Sequence, residues 1–210
     1  MILCLVTDRR KRPVLDHCRD AVRAGVDLIQ IREPGLDASA LLSLAASVVD
    51  LARDTPTRVV VNDRLDVAIV SGAHGVHLRG DSIPTERARS MAPAGFLIGR
   101  SVHGTDEAVL ATRGADYVMA GTVFQTASKP GLGQHLGLGG LSAIARAVHV
   151  PVLAIGGVSM ERIEAVAATG AAGVAAIGLF DVEAADLAAR VREARRQFDR
   201  VRSASSQCRG

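Results

Sequence analysis

The sequence has almost no aromatic residues: one Tyr, four Phe and no Trp among 210 positions. A core this poor in rings must be built from Val, Ile, Leu and Ala, and the stacking platforms that hold single-stranded nucleic acid are nearly absent. Lysine is equally scarce. Lys11 and Lys129 are the only two, so the small net charge of +3 rests on Arg. The dense basic run Arg9-Arg10-Lys11-Arg12 reads as a solvated loop, with an anion near the first strand as the other reading. Three cysteines, Cys4, Cys18 and Cys208, are an odd number without metal spacing, which suits reduced cytosolic thiols rather than a disulfide framework. No apolar stretch reaches the ~18 residues of a membrane helix, and the N-terminus lacks the charged region and cleavage site of a secretory signal. A cytoplasmic chain that engages neither membrane nor nucleic acid is expected.

What is present is globular. With 48% hydrophobic and 22% charged residues, disorder and collagen are excluded. Four segments resemble one another: Ala24-Gly25-Val26-Asp27-Leu28-Ile29, Ser71-Gly72-Ala73-His74-Gly75-Val76-His77, Arg113-Gly114-Ala115-Asp116-Tyr117-Val118 and Thr169-Gly170-Ala171-Ala172-Gly173-Val174. Each reads as a helix end closed by Gly, a tight turn and a short apolar strand. Extending the pattern gives eight strands, near 2–6, 26–32, 58–62, 74–78, 96–100, 116–120, 151–155 and 173–177. Helical spacing covers 38–53, 105–113, 139–149, 159–169 and 183–198. Strands that are apolar throughout belong to a sheet covered on both faces, hence parallel. Eight βα units predict a single-domain (β/α)8 barrel over residues 1–200, with 201–210 as a flexible polar tail. An open doubly wound sheet is the alternative, but its G-x-G-x-x-G turn is absent after the first strand, where Thr7-Asp8-Arg9 stands.

Barrels place their sites at the C-terminal ends of the strands. The second strand ends Gln30-Ile31-Arg32-Glu33, with Gln30 and Arg32 on one side, suited to a heterocycle edge and a phosphate; a structural ion pair is the other reading of Arg32. The third ends Val61-Asn62-Asp63-Arg64. Asn62 and Asp63 read either as a cap of the next helix or as an amide for phosphate beside a carboxylate for a divalent metal. After the fourth strand come His77, a packed rim histidine or a site residue, and Asp81, a second candidate metal ligand. Gly121 to Gly140 forms a Gly-rich connection of the length used for lids and binding loops. It carries Thr126, Ser128 and the rare Lys129, a phosphate-binding combination. Gly156 and Gly157 after the seventh strand, and Ile177 and Gly178 after the eighth, occupy the usual barrel phosphate site.

With these residues in place, the chain resembles the thiamine phosphate synthase / TenI superfamily over about residues 2–198. The likeness rests on Gln30-Ile31-Arg32-Glu33, Val61-Asn62-Asp63-Arg64, Gly75-Val76-His77-Leu78, Ile98-Gly99-Arg100-Ser101-Val102-His103, Asp116-Tyr117, Gly121 to Lys129 and Ala154-Ile155-Gly156-Gly157. The resemblance implies a thiamin-biosynthesis enzyme that joins an aminopyrimidine methyl diphosphate to a thiazole phosphate, with Mg²⁺ assisting departure of the diphosphate. It implies that Gln30 contacts the pyrimidine and that Arg32, Asn62 and Lys129 bind the diphosphate. Ser101 would lie by the reacting pyrimidine and Asp63 would ligate Mg²⁺. Thr126 and Ser128, with the backbone at Gly157, Ile177 and Gly178, would hold the thiazole phosphate. The implied partners are small phosphorylated heterocycles; assembly into a homo-oligomer is left open.

The chain departs from the synthase pattern at two points. Pro34 stands where a Lys is expected, and the segment Arg79-Gly80-Asp81-Ser82 puts Ser82 at the expected second Mg²⁺ ligand, with Asp81 as its substitute. Arg100-Ser101-Val102-His103 looks more like the TenI branch, which includes thiazole tautomerases acting on the thiazole phosphate carboxylate. The catalytic His of that pattern is replaced by Thr122. A thiazole tautomerase and a non-catalytic regulatory ligand binder are therefore the alternative readings.

Overall fold

Eight short apolar runs pair in chain order, and the eighth returns to the first, closing a parallel barrel. The computed structural model describes residues 1–125 and 135–207. Its strands are β1 (Ile2–Val6), β2 (Leu28–Ile31), β3 (Arg58–Asn62), β4 (Gly75–Leu78), β5 (Leu97–Val102), β6 (Tyr117–Ala120), β7 (Val152–Ile155) and β8 (Gly173–Ala176). The helices are α1 (Val14–Ala24), α2 (Ala38–Ala52), α3 (Leu65–Val70), α4 (Thr85–Met91), α5 (Thr105–Ala111), α6 (Gly137–Ala147), α7 (Ile163–Ala168) and α8 (Ala184–Gln207). The alternation is that of a (β/α)8 barrel, as the sequence predicts. The open doubly wound alternative is excluded by closure of β8 on β1.

Local chemistry explains the element ends. Gly25 closes α1 in the left-handed conformation at φ 82°, its N–H bonded to the carbonyls of Ala21 and Val22. Asp37 caps α2 by accepting from the N–H of Ala40. The packed face of α2 is Leu41, Ala45, Val48 and Ala52, all buried, with Leu42 and Val49 partly buried beside them. Helical spacing in the sequence singles out no helix over 14–24, 65–70 or 85–91; two of these are only six and seven residues long, too short to display a period. Between Ser159 and α7, residues Met160–Arg162 form a 3-10 turn rather than the first turn of the helix.

At the other end, α8 continues to Gln207, past the boundary expected at residue 200. Arg202 reaches back to the carbonyls of Gly170 and Ala171, a tertiary tie that sequence propensity does not register.

Two apolar layers form the core. The outer one lies between sheet and helices and includes Leu3, Leu5, Ile29, Ile31, Val59, Val61, Leu141 and Ile144. The inner one fills the barrel with Cys4, Val6, Leu28, Val60, Tyr117, Met119, Leu153 and Ala175. Alternation along each strand separates these sets. It also directs Gln30, Asn62, His77 and Ser101 to the barrel axis, because each lies an even step from an inner-layer residue or its paired neighbour.

Candidate active site at the barrel mouth

The polar residues above the inner layer form a connected cluster. Gln30 is 2% exposed, and its Nε2 donates to Oδ1 of Asn62 across the β2–β3 pair at 2.9 Å. Its Oε1 is buried without a partner, the one such side-chain atom among the described residues. A buried acceptor left unpaired costs roughly 1–3 kcal/mol, so it calls for a donor from a ligand or water. Asn62 and the following Asp63 do not cap α3, whose N-cap is Arg64 without a side-chain bond. That excludes the helix-cap reading of both residues. Asp63 adopts a left-handed backbone at φ 61°, a conformation Asp tolerates better than most residues.

On the opposite wall, register creates a chain of three side chains. His77 pairs with Gly99 and Gly99 with Tyr117. A Cβ on Gly99 would lie 2.1 Å from Cζ of Tyr117 and 2.6 Å from Nδ1 of His77. The missing side chain lets the two rings meet across β5, with centroids 5.7 Å apart. Nδ1 of His77 lies 3.2 Å from the Tyr117 hydroxyl, and Nε2 lies 2.9 Å from Oγ of Ser101. A neutral ring donates through one of these nitrogens and accepts at the other, so His77 ties Tyr117 and Ser101 into one hydrogen-bonded chain. Burial, reinforced by the nearby Arg100 charge and opposed by Asp63, pushes His77 down to about 3. His77 is therefore neutral at pH 7 and orients Ser101. The sequence left His77 open between packing and function; the structure packs it at 1% exposure and joins it to Ser101 and Tyr117.

The loop after β4 is held from β5. Arg100 donates to the carbonyls of Gly80 at 2.7 Å and Ile83 at 2.7 Å, with a longer contact to Ser82. Arg100→Met is expected to destabilise the fold by about 2 kcal/mol, since three carbonyls lose a charged donor; urea unfolding checks it. Asp81, exposed on this loop, and Asp63 both meet the Arg79 guanidinium, at 2.5 and 3.8 Å. Two carboxylates converging on one cation are a donor set that fits a divalent ion, which in such sites uses one or two carboxylates plus substrate oxygens and water. The double contact of Arg79 depends on loop conformation, which no spacing in the sequence reveals.

Arg32 follows β2 half-buried, its N–H donating to Thr7 Oγ1. Its charge joins Arg10, the principal cause, in lowering Asp8. The basic run is engaged in ion pairs, Arg10 with Asp8, Lys11 with Asp181 and Arg12 with Asp20, in keeping with its reading as a solvated loop.

The third side of the mouth is backbone. Gly156 and Gly157 follow β7 at φ 97° and 66°. The chain leaving β6 lies against them: Val123 and Phe124 donate to the carbonyls of Ile155 and Gly156. A Cβ on Gly157 would meet the Gln125 carbonyl oxygen at 2.7 Å, so only glycine permits this approach. Arg162 pins the corner, donating to the Gly157 carbonyl and covering the Phe124 ring at 4.5 Å. Ile177 and Gly178 begin a 3-10 turn after β8, with open space at the Gly178 Cα. Thr126, Ser128 and Lys129 lie outside the described residues. Thr122 stands where the tautomerase pattern has its His, and its carbonyl accepts from Leu136.

A closed parallel barrel with polar side chains from β2 to β5 and glycine turns after β7 and β8 defines the class of (β/α)8-barrel enzymes, which build their sites at this end. The chain belongs to the thiamine monophosphate synthase family, whose description matches residues 3–180. It is 41% identical over 209 residues to a thiamine-phosphate synthase of Methanoculleus marisnigri, covering 98% of this chain and 97% of that one. A thiamine-phosphate synthase of Moorella thermoacetica is 39% identical, covering 91% of each. Among solved structures, thiamine phosphate pyrophosphorylase from Pyrococcus furiosus superposes with a TM-score of 0.85 at 34% identity, covering 95% of this chain and 96% of that one. Among the described residues no helix is long and apolar enough to cross a membrane.

Proposed function

We propose that this chain is a cytoplasmic thiamine phosphate synthase, a transferase coupling an aminopyrimidine methyl diphosphate to a thiazole phosphate with release of diphosphate. The observation that carries the reading is the unpartnered Gln30 Oε1. Its Nε2 is committed to Asn62, so the amide presents a fixed acceptor at the mouth, and an aminopyrimidine supplies the N–H it lacks. Its relatives of about 40% identity bearing the synthase name support the same reading.

The bond from the pyrimidine methyl carbon to the diphosphate oxygen breaks, and the thiazole nitrogen captures the resulting carbon cation. Gln30 holds the pyrimidine edge, and Ser101, oriented by His77, stands by the reacting carbon. A neutral His77 adds no positive charge beside a developing cation. Arg32 and Asn62 receive the diphosphate, with Lys129 from the Gly-rich connection. The backbone at Gly156, Gly157, Ile177 and Gly178, with Thr126 and Ser128, takes the thiazole phosphate. Asp63 and Asp81 are the residues to hold Mg²⁺, which when bound neutralises charge on the leaving diphosphate.

Thiamine phosphate formation by the purified protein from both substrates with Mg²⁺ tests the reading; a folded protein that yields no product overturns it. Conversion of the thiazole carboxylate tautomer alone, without pyrimidine or metal, would assign the tautomerase reaction instead. Lys129→Ala is expected to cut turnover at least about tenfold, a barrier rise of ~1.4 kcal/mol, in a steady-state assay at saturating substrates.

A further inference from the structure

Arg79 is the residue that the assignment of Asp63 and Asp81 leaves unexplained. Its Nη2 is 2.5 Å from Oδ2 of Asp81, and its Nη1 is 3.8 Å from Oδ2 of Asp63. Its own N–H also points to Oδ1 of Asp63 at 3.5 Å. One residue thus meets both carboxylates that the cation needs. We propose that Arg79 is a tethered stand-in for the divalent cation: it occupies the space between Asp63 and Asp81 in the unliganded enzyme and must be displaced before metal binds.

The parts differ in freedom. Arg100 fixes the loop backbone through the carbonyls of Gly80 and Ile83, and the Gly80 Cα backs onto the His103 ring, where an added Cβ would lie at 3.2 Å. The position from which Asp81 projects is therefore set. The Arg79 side chain is 55% exposed and is the member free to swing away. An exposed guanidinium with two carboxylates is a weak lock, worth little in stability, but its single charge opposes a second cation at the same place. A bare divalent ion must break both contacts and gains only two carboxylates. An ion arriving with a diphosphate brings additional oxygen ligands and offers the released guanidinium an anion to meet. Loading of the metal together with the diphosphate, rather than ahead of it, follows from this competition.

The inference rests on the proposed reaction only for the identity of the anion, so its test uses no turnover. Mn²⁺ is titrated into the full-length protein without substrates, and free Mn²⁺ is read by electron paramagnetic resonance. Arg79→Gln is expected to bind Mn²⁺ at least about threefold more tightly than the natural protein, and Arg79→Lys, which keeps the charge, to stay near the natural value. Asp63→Asn placed on Arg79→Gln is expected to remove the gain. Equal or weaker binding by Arg79→Gln, equal tightening by Arg79→Lys, or no Mn²⁺ binding by any variant overturns the proposal. A tightening of this pattern in a protein that makes no thiamine phosphate would retain the competition and discard the synthase reading. Product formation with no change on Arg79→Gln would do the reverse.

Discussion

Asp63→Asn is expected to lower thiamine phosphate formation at least a hundredfold at saturating substrates, while moving the unfolding free energy by no more than about 1 kcal/mol. The loss corresponds to a barrier rise of about 2.7 kcal/mol, within the several kcal/mol that a bound metal contributes to stabilising a leaving anion. The small effect on folding follows from three observations. Asp63 caps no helix. Its partner Arg79 is more than half exposed, and such pairs contribute roughly 0–1 kcal/mol. Its backbone sits at φ 61°, where Asn is one of the few replacements without strain. Asp63→Ala separates the two roles, because it loses the carboxylate and adds roughly 1 kcal/mol of left-handed strain. Turnover and thermal melting measured on both variants check the argument. A hundredfold loss in Asp63→Asn accompanied by a large stability loss would place the residue in the scaffold instead.

The barrel was readable because parallel strands buried on both faces leave unbroken apolar runs, and glycine marks the turns between them. Even so, 26–32 was expected where β2 spans Leu28–Ile31: Val26 is buried like a strand residue, but it closes the turn out of α1 by donating to the Ala21 carbonyl. Gln30 and Asn62 stood out for the complementary reason: a polar residue ending an apolar run in a barrel has little to do but face the mouth. What stayed hidden depends on register and loop shape. Nothing local to Gly99 says that a histidine paired with it on one neighbouring strand and a tyrosine paired with it on the other will touch across it; that follows only once β4, β5 and β6 are aligned. The left-handed turn at Asp63 and the double contact of Arg79 are likewise products of where the β3 and β4 loops end up. The Arg162–Phe124 stack joins residues 38 positions apart, and no spacing rule connects them.

The His77–Tyr117–Ser101 chain carries the second large effect, a sensitivity to acid. His77 titrates near its ordinary 6.5 when the chain is unfolded and is pushed down to about 3 when folded, chiefly by burial. Above pH 6.5 neither state binds the proton and its stabilising contribution is complete. As pH falls below 6.5 the unfolded chain takes up a proton that the native state refuses, so stability declines until the folded value near 3 is reached. The slope is about 1.4 kcal/mol per pH unit, or roughly 2 kcal/mol between pH 6.5 and 5, where most carboxylates are still ionised. His17 and His74, both lowered chiefly by burial, act in the same direction. For a chain of this size the His77 share is a fall in melting temperature of about 4–8 °C across that window. His77→Phe starts from a less stable fold, because Ser101 and Tyr117 lose their partner, yet its dependence on pH should be shallower by about one proton. Urea unfolding at half-unit steps from pH 5 to 7 reads that slope independently of the offset. Parallel slopes in the two proteins would mean that His77 is already protonated in the native state, and that Ser101 is held by an imidazolium rather than a neutral ring.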